Sequence, residues 1–327
     1  MKIDIIICTY NRPEKVLELV NQLVQYHTQY NSIIIVDSSD TIHPVLQDYK
    51  QLTYLRSAYK NQPYQRWFGF HNSAADLLIF LDDDMEVANP NFLVIIKDNF
   101  KDKDVSGVAI NFEDKHTDTA LAAIPRSVLL KKGSTFKNII GWLTGYAVLP
   151  DGKFGLCGEK GKQPLKGGST EWLSGGAFAA RKSFLFQNFN FQLFDLFQQK
   201  IGMGEDAIIG YGLSKQGTLL YQPELLFYHN DQRDSAYSVD HFAYAKRVIF
   251  SRLYLSLEKT RLGHGSFIYA KLHYQWYVLW RITSLFINYM IRKNTVKNKI
   301  LKGSVAGWKL ALQFKFNKDA ATIDKWQ

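Results

Sequence analysis

Residues 76–90 read DLLIFLDDDMEVANP. Five apolar residues run without a break into three aspartates, and the two halves make different demands. The apolar run suits a strand buried on both faces of a parallel sheet. Three adjacent carboxylates repel one another and do nothing to end a strand, so a cation is expected beside them. In an extended segment side chains at i and i+2 point the same way, which lets Asp82 and Asp84 address one ligand. Hard carboxylate oxygens suit Mg2+ or Mn2+, and Mg2+ is commonly held by one or two carboxylates plus a substrate's phosphates. A solvated acidic turn capping the next helix is the plainer alternative. The apolar strand directly before it favours a metal and phosphate site.

Similar runs lie upstream. IDIIIC (3–8), SIIIV (32–36) and LTYL (52–55) are short, apolar and rich in Ile and Val. Between them Pro13 stands at a first helical position, with Val16, Leu19, Val20 and Leu23 at helical spacing. Residues 61–75 suit a second helix. Strand alternating with helix implies right-handed βαβ units and a doubly wound α/β sheet. Such sheets bind ligands outside the carboxyl ends of their strands, where Thr9, Tyr10, Asn11, Asp37 and the aspartate cluster all fall. A further strand is expected near Val105–Phe112. A Gly- and Lys-rich excursion across 113–170 then reads as an acceptor-side loop that orders on binding. Within GMGEDAIIGYGLSKQGTLLYQPELLFYHN (202–230) the pattern predicts a Gly-rich turn, a helix from about Glu205 and two strands.

The net charge of +10 is unevenly placed. Residues 1–232 hold 23 Lys/Arg against 25 Asp/Glu, whereas residues 233–327 hold 17 against 5. The basicity belongs to the last segment, so a nucleic-acid function for the whole chain is not expected. That segment is helix-compatible: Phe242, Ala245, Ile249, Leu253 and Leu257 form one stripe. FIYAKLHYQWYVLWRITSLFINYMI (267–291) is denser in aromatics, but Lys271, His273 and Arg281 interrupt it, which argues against a membrane span. Two placements suit these aromatics: packing on the preceding domain, or peripheral contact with an anionic membrane surface. Cys8 and Cys157 match no metal-ligand spacing and suggest no disulfide framework. The first apolar run is too short for a signal peptide, so a cytoplasmic setting is expected.

Taken in order, CTYNRPEKV, VDSSD, QRWFGFHNSAADLLIFLDDD and GEDAIIGYGLSKQGTLLYQPELLFYH resemble the inverting family 2 glycosyltransferases of the GT-A fold, of the bacterial surface-polysaccharide type. The resemblance covers residues 3 to about 110 and 172–230. It implies a mostly parallel central sheet in a GT-A domain over 1–232. Within it, 1–112 would form the nucleotide-binding half, 113–170 a variable excursion and 171–232 the acceptor half. A basic, aromatic-rich helical region over 233–327 would follow.

By the same resemblance Thr9, Tyr10 and Asn11 would line the nucleotide pocket, and Asp37 would contact base or ribose. Arg66 and Gly69 would stand near the nucleotide, though Trp67 replaces a usual asparagine. Asp82 and Asp84 match the ends of a DXD motif. Asp84 is then the direct ligand of Mn2+ or Mg2+, Asp82 a second ligand or nucleotide contact, and Asp83 an added nucleotide-side carboxylate. Asp206 would be the catalytic base, with Glu205 beside it as the alternative. Acidity at a helix start also has a plain electrostatic use. His229 would reach metal or diphosphate, although a histidine ending a strand also serves as a simple hydrogen bonder. Ser174, Gly175 and Gly176, with Arg181, would line the acceptor or donor sugar.

The implied reaction moves one sugar from a nucleotide-sugar donor to a hydroxyl of a saccharide or lipid-linked saccharide acceptor. Processive synthases carry a QXXRW signature that this sequence lacks, and many relatives have arginine where Gly212 stands. Two alternatives differ in class. A sugar nucleotidyltransferase would show a Gly-rich loop after the first strand, and CTYNRPEKV has no glycine. A non-catalytic nucleotide-sugar-binding protein would not need Asp206.

Overall fold

Every residue of β1 (Ile3–Thr9) is buried, as expected of a strand covered on both faces. In the computed structural model, which describes residues 1–42, 52–115, 149–230 and 240–318, β1 lies between β2 (Ser32–Asp37) and β4 (Leu77–Asp82), parallel to both. β3 (Leu52–Arg56) extends the parallel set beyond β2. The short β5 (Met85–Val87) follows β4 after a turn at residues 83–84. β6 (Val105–Asp114), β7 (Gly168–Ser169), β8 (Ala177–Arg181) and β9 (Thr218–His229) complete one sheet. Its order is β3-β2-β1-β4-β8-β6-β9-β5, with β7 paired to β9. β8 is antiparallel to both its neighbours, and β6 is parallel to β9.

Alternation along β1 sorts the core. Ile3, Ile5 and Ile7 pack with Val16, Leu19 and Val20 of α1 (Pro13–Leu23) and Phe92 and Ile96 of α3 (Phe92–Asn99). Ile6 and Cys8 face the other way, into a core shared with Ile209 and Leu213 of α5 (Glu205–Gln216). Helix α2 (Gln62–Asn72) also lies on that face, beginning at Asn61, whose side chain accepts from the Tyr64 N–H. These elements confirm the α/β reading strand by strand. One expectation fails: residues 218–229 form a single strand, not two. Pro223 offers no N–H, and the pairing to β6 skips from Gln222 to Leu225. The sequence there makes a bulge instead of a break.

A third core joins the outer face of α5 (Ala207, Ile208, Tyr211) and Leu193 of α4 (Gln192–Gln198) to the C-terminal helices. These are α6 (His241–Leu262), α7 (Phe267–Ile291) and α8 (Thr295–Gln313). Each starts at a side chain able to cap it: Asp240, Ser266 and Asn294 accept from the first free N–H groups. Helix α8 approaches α6 through Gly303 and Gly307, where an added Cβ would lie 2.3 Å from Phe242 O and 2.4 Å from Lys246 O. Phe154 and Cys157, the far end of the expected excursion, are buried in this third core. Residues 116–148 of that excursion lie outside the described residues. Among the described residues no helix is long and apolar enough to cross a membrane.

Candidate active site

The register of three parallel strands sets the site. Thr9 pairs with Asp37 and Cys8 with Asp82, so the carboxyl ends of β2, β1 and β4 stand side by side. Because β8 runs antiparallel, its amino end comes to the same edge: Ala177 pairs with Leu81, and Gly176 O accepts from the Asp82 N–H at 2.9 Å. Ser174, Gly175 and Gly176 are thereby brought to the aspartates.

The cations expected beside the aspartates include several from the chain itself. Asp83 and Asp84 occupy a turn, not an extended strand, and the three carboxylates take different partners. Asp82 Oδ1 accepts from Gln62 Nε2 at 2.9 Å and from Arg66 Nη2 at 3.1 Å. Asp83 is held by the Thr9 hydroxyl at 2.7 Å and by Arg12. Asp84 Oδ2 accepts from Arg12 Nη1 at 2.9 Å. Its Oδ1 lies 3.3 Å from His229 Nε2, within ion-pair range, yet is buried without an aligned hydrogen bond. The i, i+2 alignment of Asp82 with Asp84 therefore does not hold. Asp84 and His229 face one another, and Asp82 faces Arg66.

Protonation follows these surroundings. Burial pushes Asp82 up to about 7 against the pull of Arg66, and Asp83 up to about 6 against Thr9 and Arg12. Burial also opposes ionisation of Asp84, but contact with His229 and then Arg12 outweighs it and holds this carboxyl below its usual range. His229 is pushed up to about 9 by Asp84, against its own burial and with help from Asp114, whose Oδ1 lies 2.8 Å from Nδ1.

A divalent ion would find one carboxylate and one imidazole here. Among the described residues no group of three His, Cys, Asp or Glu could enclose it. The donor set suits Mg2+ or Mn2+ with most positions left to phosphate and water. The orphaned Oδ1 is the atom with coordination to spare.

Arg66 links this cluster to the second acidic pair. It is 2% exposed, and its guanidinium donates to Asp82, to Gly175 O at 2.7 Å and to Glu205 Oε1 at 3.1 Å. Gly204, in the left-handed region at φ 84°, turns the chain into α5, so Glu205 and Asp206 open that helix. Burial, then the neighbouring Asp206 charge, raises Glu205 above its ordinary value. Asp206 points elsewhere. Its Oδ2 accepts from Lys160 Nζ at 2.9 Å, and Lys160 lies over the Trp172 ring. A Cβ on Gly175 would lie 3.7 Å from Asp206 Oδ2, so Asp206 borders the Ser174–Gly176 turn.

Three expected residues occupy other places. Asp37 is fully buried: the Ser39 N–H, the Tyr54 hydroxyl and Arg56 engage both its oxygens, so it fixes the loop after β2 instead of facing a ribose. Among the described residues of that loop the accessible carboxylate is Asp40, which Lys60, Asn11 and Tyr10 surround. The hydrogen bonds of Lys60 and Asn11 hold it down to about 2. Gly69 is a packing residue, where an added Cβ would lie 2.7 Å from Ile6 Cγ2. Arg181 sits at the opposite end of the sheet, paired with Leu77, and donates to the carbonyls of Val105, Phe100 and Asp102. Trp67 packs in an aromatic cluster with Tyr64 and Phe194.

Residues 4–156 match the model of the glycosyl transferase family 2. Over these residues the chain is similar to glycosyl transferase family 2. No curated protein sequence matches the chain. Among solved structures, S. aureus TarS 1-349 is 12% identical with a TM-score of 0.50, covering 95% of this chain and 79% of that one. The mannosyltransferase PcManGT from Pyrobaculum calidifontis, in complex with GDP-Man and Mn2+, is 11% identical with a TM-score of 0.47, over 95% and 87% of the two chains. At 12% identity the likeness to TarS concerns the fold alone.

Sequence reasoning missed several residues of this site. Arg12, Gln62, Lys160 and Asp114 all contact an expected residue. Arg12 and Gln62 had one available signal: each follows a strand of the parallel set, at its carboxyl end. Asp114 ends β6 opposite His229 on β9, just past the stretch expected as a strand, and Lys160 comes from the irregular chain of the excursion, where no periodicity points to a partner.

Proposed function

We propose that the chain is an inverting, divalent-metal-dependent glycosyltransferase. It would move one sugar from a nucleotide-sugar donor to a hydroxyl of a saccharide or lipid-linked saccharide acceptor, in cell-surface polysaccharide synthesis on the cytoplasmic face of an anionic membrane. The single observation that carries this is the Arg66 bridge. One buried guanidinium holds Asp82 and Glu205, so the aspartate cluster and the α5 acidic pair border one cleft.

Asp84 and His229 would hold Mn2+ or Mg2+, with Asp114 orienting the imidazole. The ion's charge, when bound, would stabilise the diphosphate as it leaves. Tyr10, Asn11 and Asp40 form the accessible rim nearest the carboxyl ends of β1 and β2, suited to the nucleoside. Asp206 is the base. As the acceptor oxygen bonds to the anomeric carbon, its proton passes to the Asp206 carboxylate, and the bond to the diphosphate breaks with its electron pair on the leaving oxygen. Lys160 must part from Asp206 for the acceptor hydroxyl to take its place. Gly175 leaves room at that carboxylate.

The test is nucleotide release from a panel of nucleotide-sugars with saccharide acceptors. Asp206→Asn should lower kcat by about 10²–10⁴ while donor binding is retained. Full turnover by this variant would remove Asp206 as the base. No turnover by wild type with any donor that binds would favour a binding protein.

A further inference from the structure

Helix α7 is apolar on two sides. Ala270, Tyr274, Tyr277 and Val278 are buried in the third core. The opposite side carries Ile268, Leu272, Leu279, Phe286, Met290 and Ile291, each more than half exposed. At about 100° per residue the first five fall within roughly 40° of one another, along a helix about 37 Å long. The stripe is thus continuous from end to end, and an exposed apolar surface of this extent marks an interaction site.

Charge selects the partner. Residues 267–313, spanning α7 and α8, contain eight Lys/Arg and no Asp/Glu. Lys271, Arg292 and Lys293 border the stripe in sequence and are exposed, as are Lys299 and Lys302 on α8. Two copies meeting through this face would oppose like charges with no acid to relieve them. An anionic surface meets both features at once, and α7 is not apolar enough to cross a bilayer.

We propose that α7 and α8 dock the protein on an anionic lipid surface. The α7 stripe lies in the plane of the interface and enters the acyl boundary, while the lysines and arginines sit among headgroup phosphates. The use of this docking rests on the proposed lipid-linked acceptor; the docking itself does not require transfer.

The experiment is co-sedimentation of the full chain with vesicles of phosphatidylcholine, alone or mixed with phosphatidylglycerol. Wild type should bind the mixed vesicles, weakly or not at all the neutral ones, and lose binding as salt is raised. Leu272→Glu with Leu279→Glu, both at exposed positions, should abolish binding with the melting temperature unchanged. Should that pair misfold, Lys299→Ser with Lys302→Ser should lower partitioning about tenfold or more, at about fivefold per basic residue. No binding to anionic vesicles overturns the proposal, as does binding that ignores both pairs. So does a wild-type dimer in ultracentrifugation that the leucine variants abolish. Nucleotide binding by the same preparations is read separately, so failed docking and failed transferase function are distinguished.

Discussion

Arg66 Nη1 lies 3.1 Å from Glu205 Oε1, across 139 residues of chain. That contact makes one site of two acidic motifs, and because Arg66 also holds Asp82 its removal has a defined consequence. Arg66→Met leaves two carboxylates without their buried cation and should destabilise the protein by about 3–5 kcal/mol. Arg66→Lys should fall between, since one ammonium cannot reproduce the planar fork that reaches three acceptors. Urea denaturation of the three proteins checks the order.

Glu205 gives a pH signature. Its folded-state pKa is raised by burial and then by Asp206. A raised value contributes stability that is complete below the unfolded pKa and is lost as pH rises through the folded one. Glu205→Gln removes the titration and keeps an acceptor for Arg66. The Tm of the variant should therefore gain on wild type as pH rises from the ordinary glutamate range through the raised folded-state value. Parallel Tm curves would contradict the assignment.

Asp114 fixes the direction in which His229 points. With Nδ1 engaged at 2.8 Å, Nε2 is turned to Asp84. Asp114→Ala should weaken Mn2+ binding in the presence of nucleoside diphosphate by about tenfold or more, with the fold unchanged by circular dichroism. Unaltered affinity would show that His229 needs no such support.

Arg181 and Gly69 should separate stability from chemistry. Arg181→Ala removes three hydrogen bonds to carbonyls at the far end of the sheet and should lower stability by about 1–2 kcal/mol, leaving kcat unchanged. Gly69→Ala sets a methyl 2.7 Å from Ile6 Cγ2 and should cost about 1–3 kcal/mol, leaving donor KM unchanged. A selective loss of donor affinity in either variant would return that residue to the site.

The parallel half of the sheet was legible because Ile- and Val-rich runs alternating with amphipathic helices leave little choice of layering. Helix α6 was legible through its apolar stripe, and α5 through the Gly-rich turn ahead of Glu205. The site was legible by position: whatever follows β1, β2 or β4 reaches the cleft. What such position does not encode is direction. Asp37 sits at the right strand end but turns inward, because Tyr54 and Arg56 on the neighbouring strand compete for its oxygens. Arg181 ends a strand whose reversed direction was not evident from its five residues, so it lies at the wrong edge. The turn at Asp83 and Asp84 broke the alternation that would have aligned Asp82 with Asp84. In each case the deciding partner is distant in sequence.

The central claim is that Asp84, facing His229, holds the cation that binds a diphosphate. Calorimetric titration of UDP, GDP, dTDP and CMP into wild type and Asp84→Ala, with and without Mn2+, tests it most directly. The account predicts that one nucleotide binds wild type with Mn2+ dependence, and that Asp84→Ala abolishes the metal-dependent part. Nucleotide binding indifferent to both Mn2+ and Asp84 would contradict it, leaving the aspartates as partners of Arg12 and Arg66 alone.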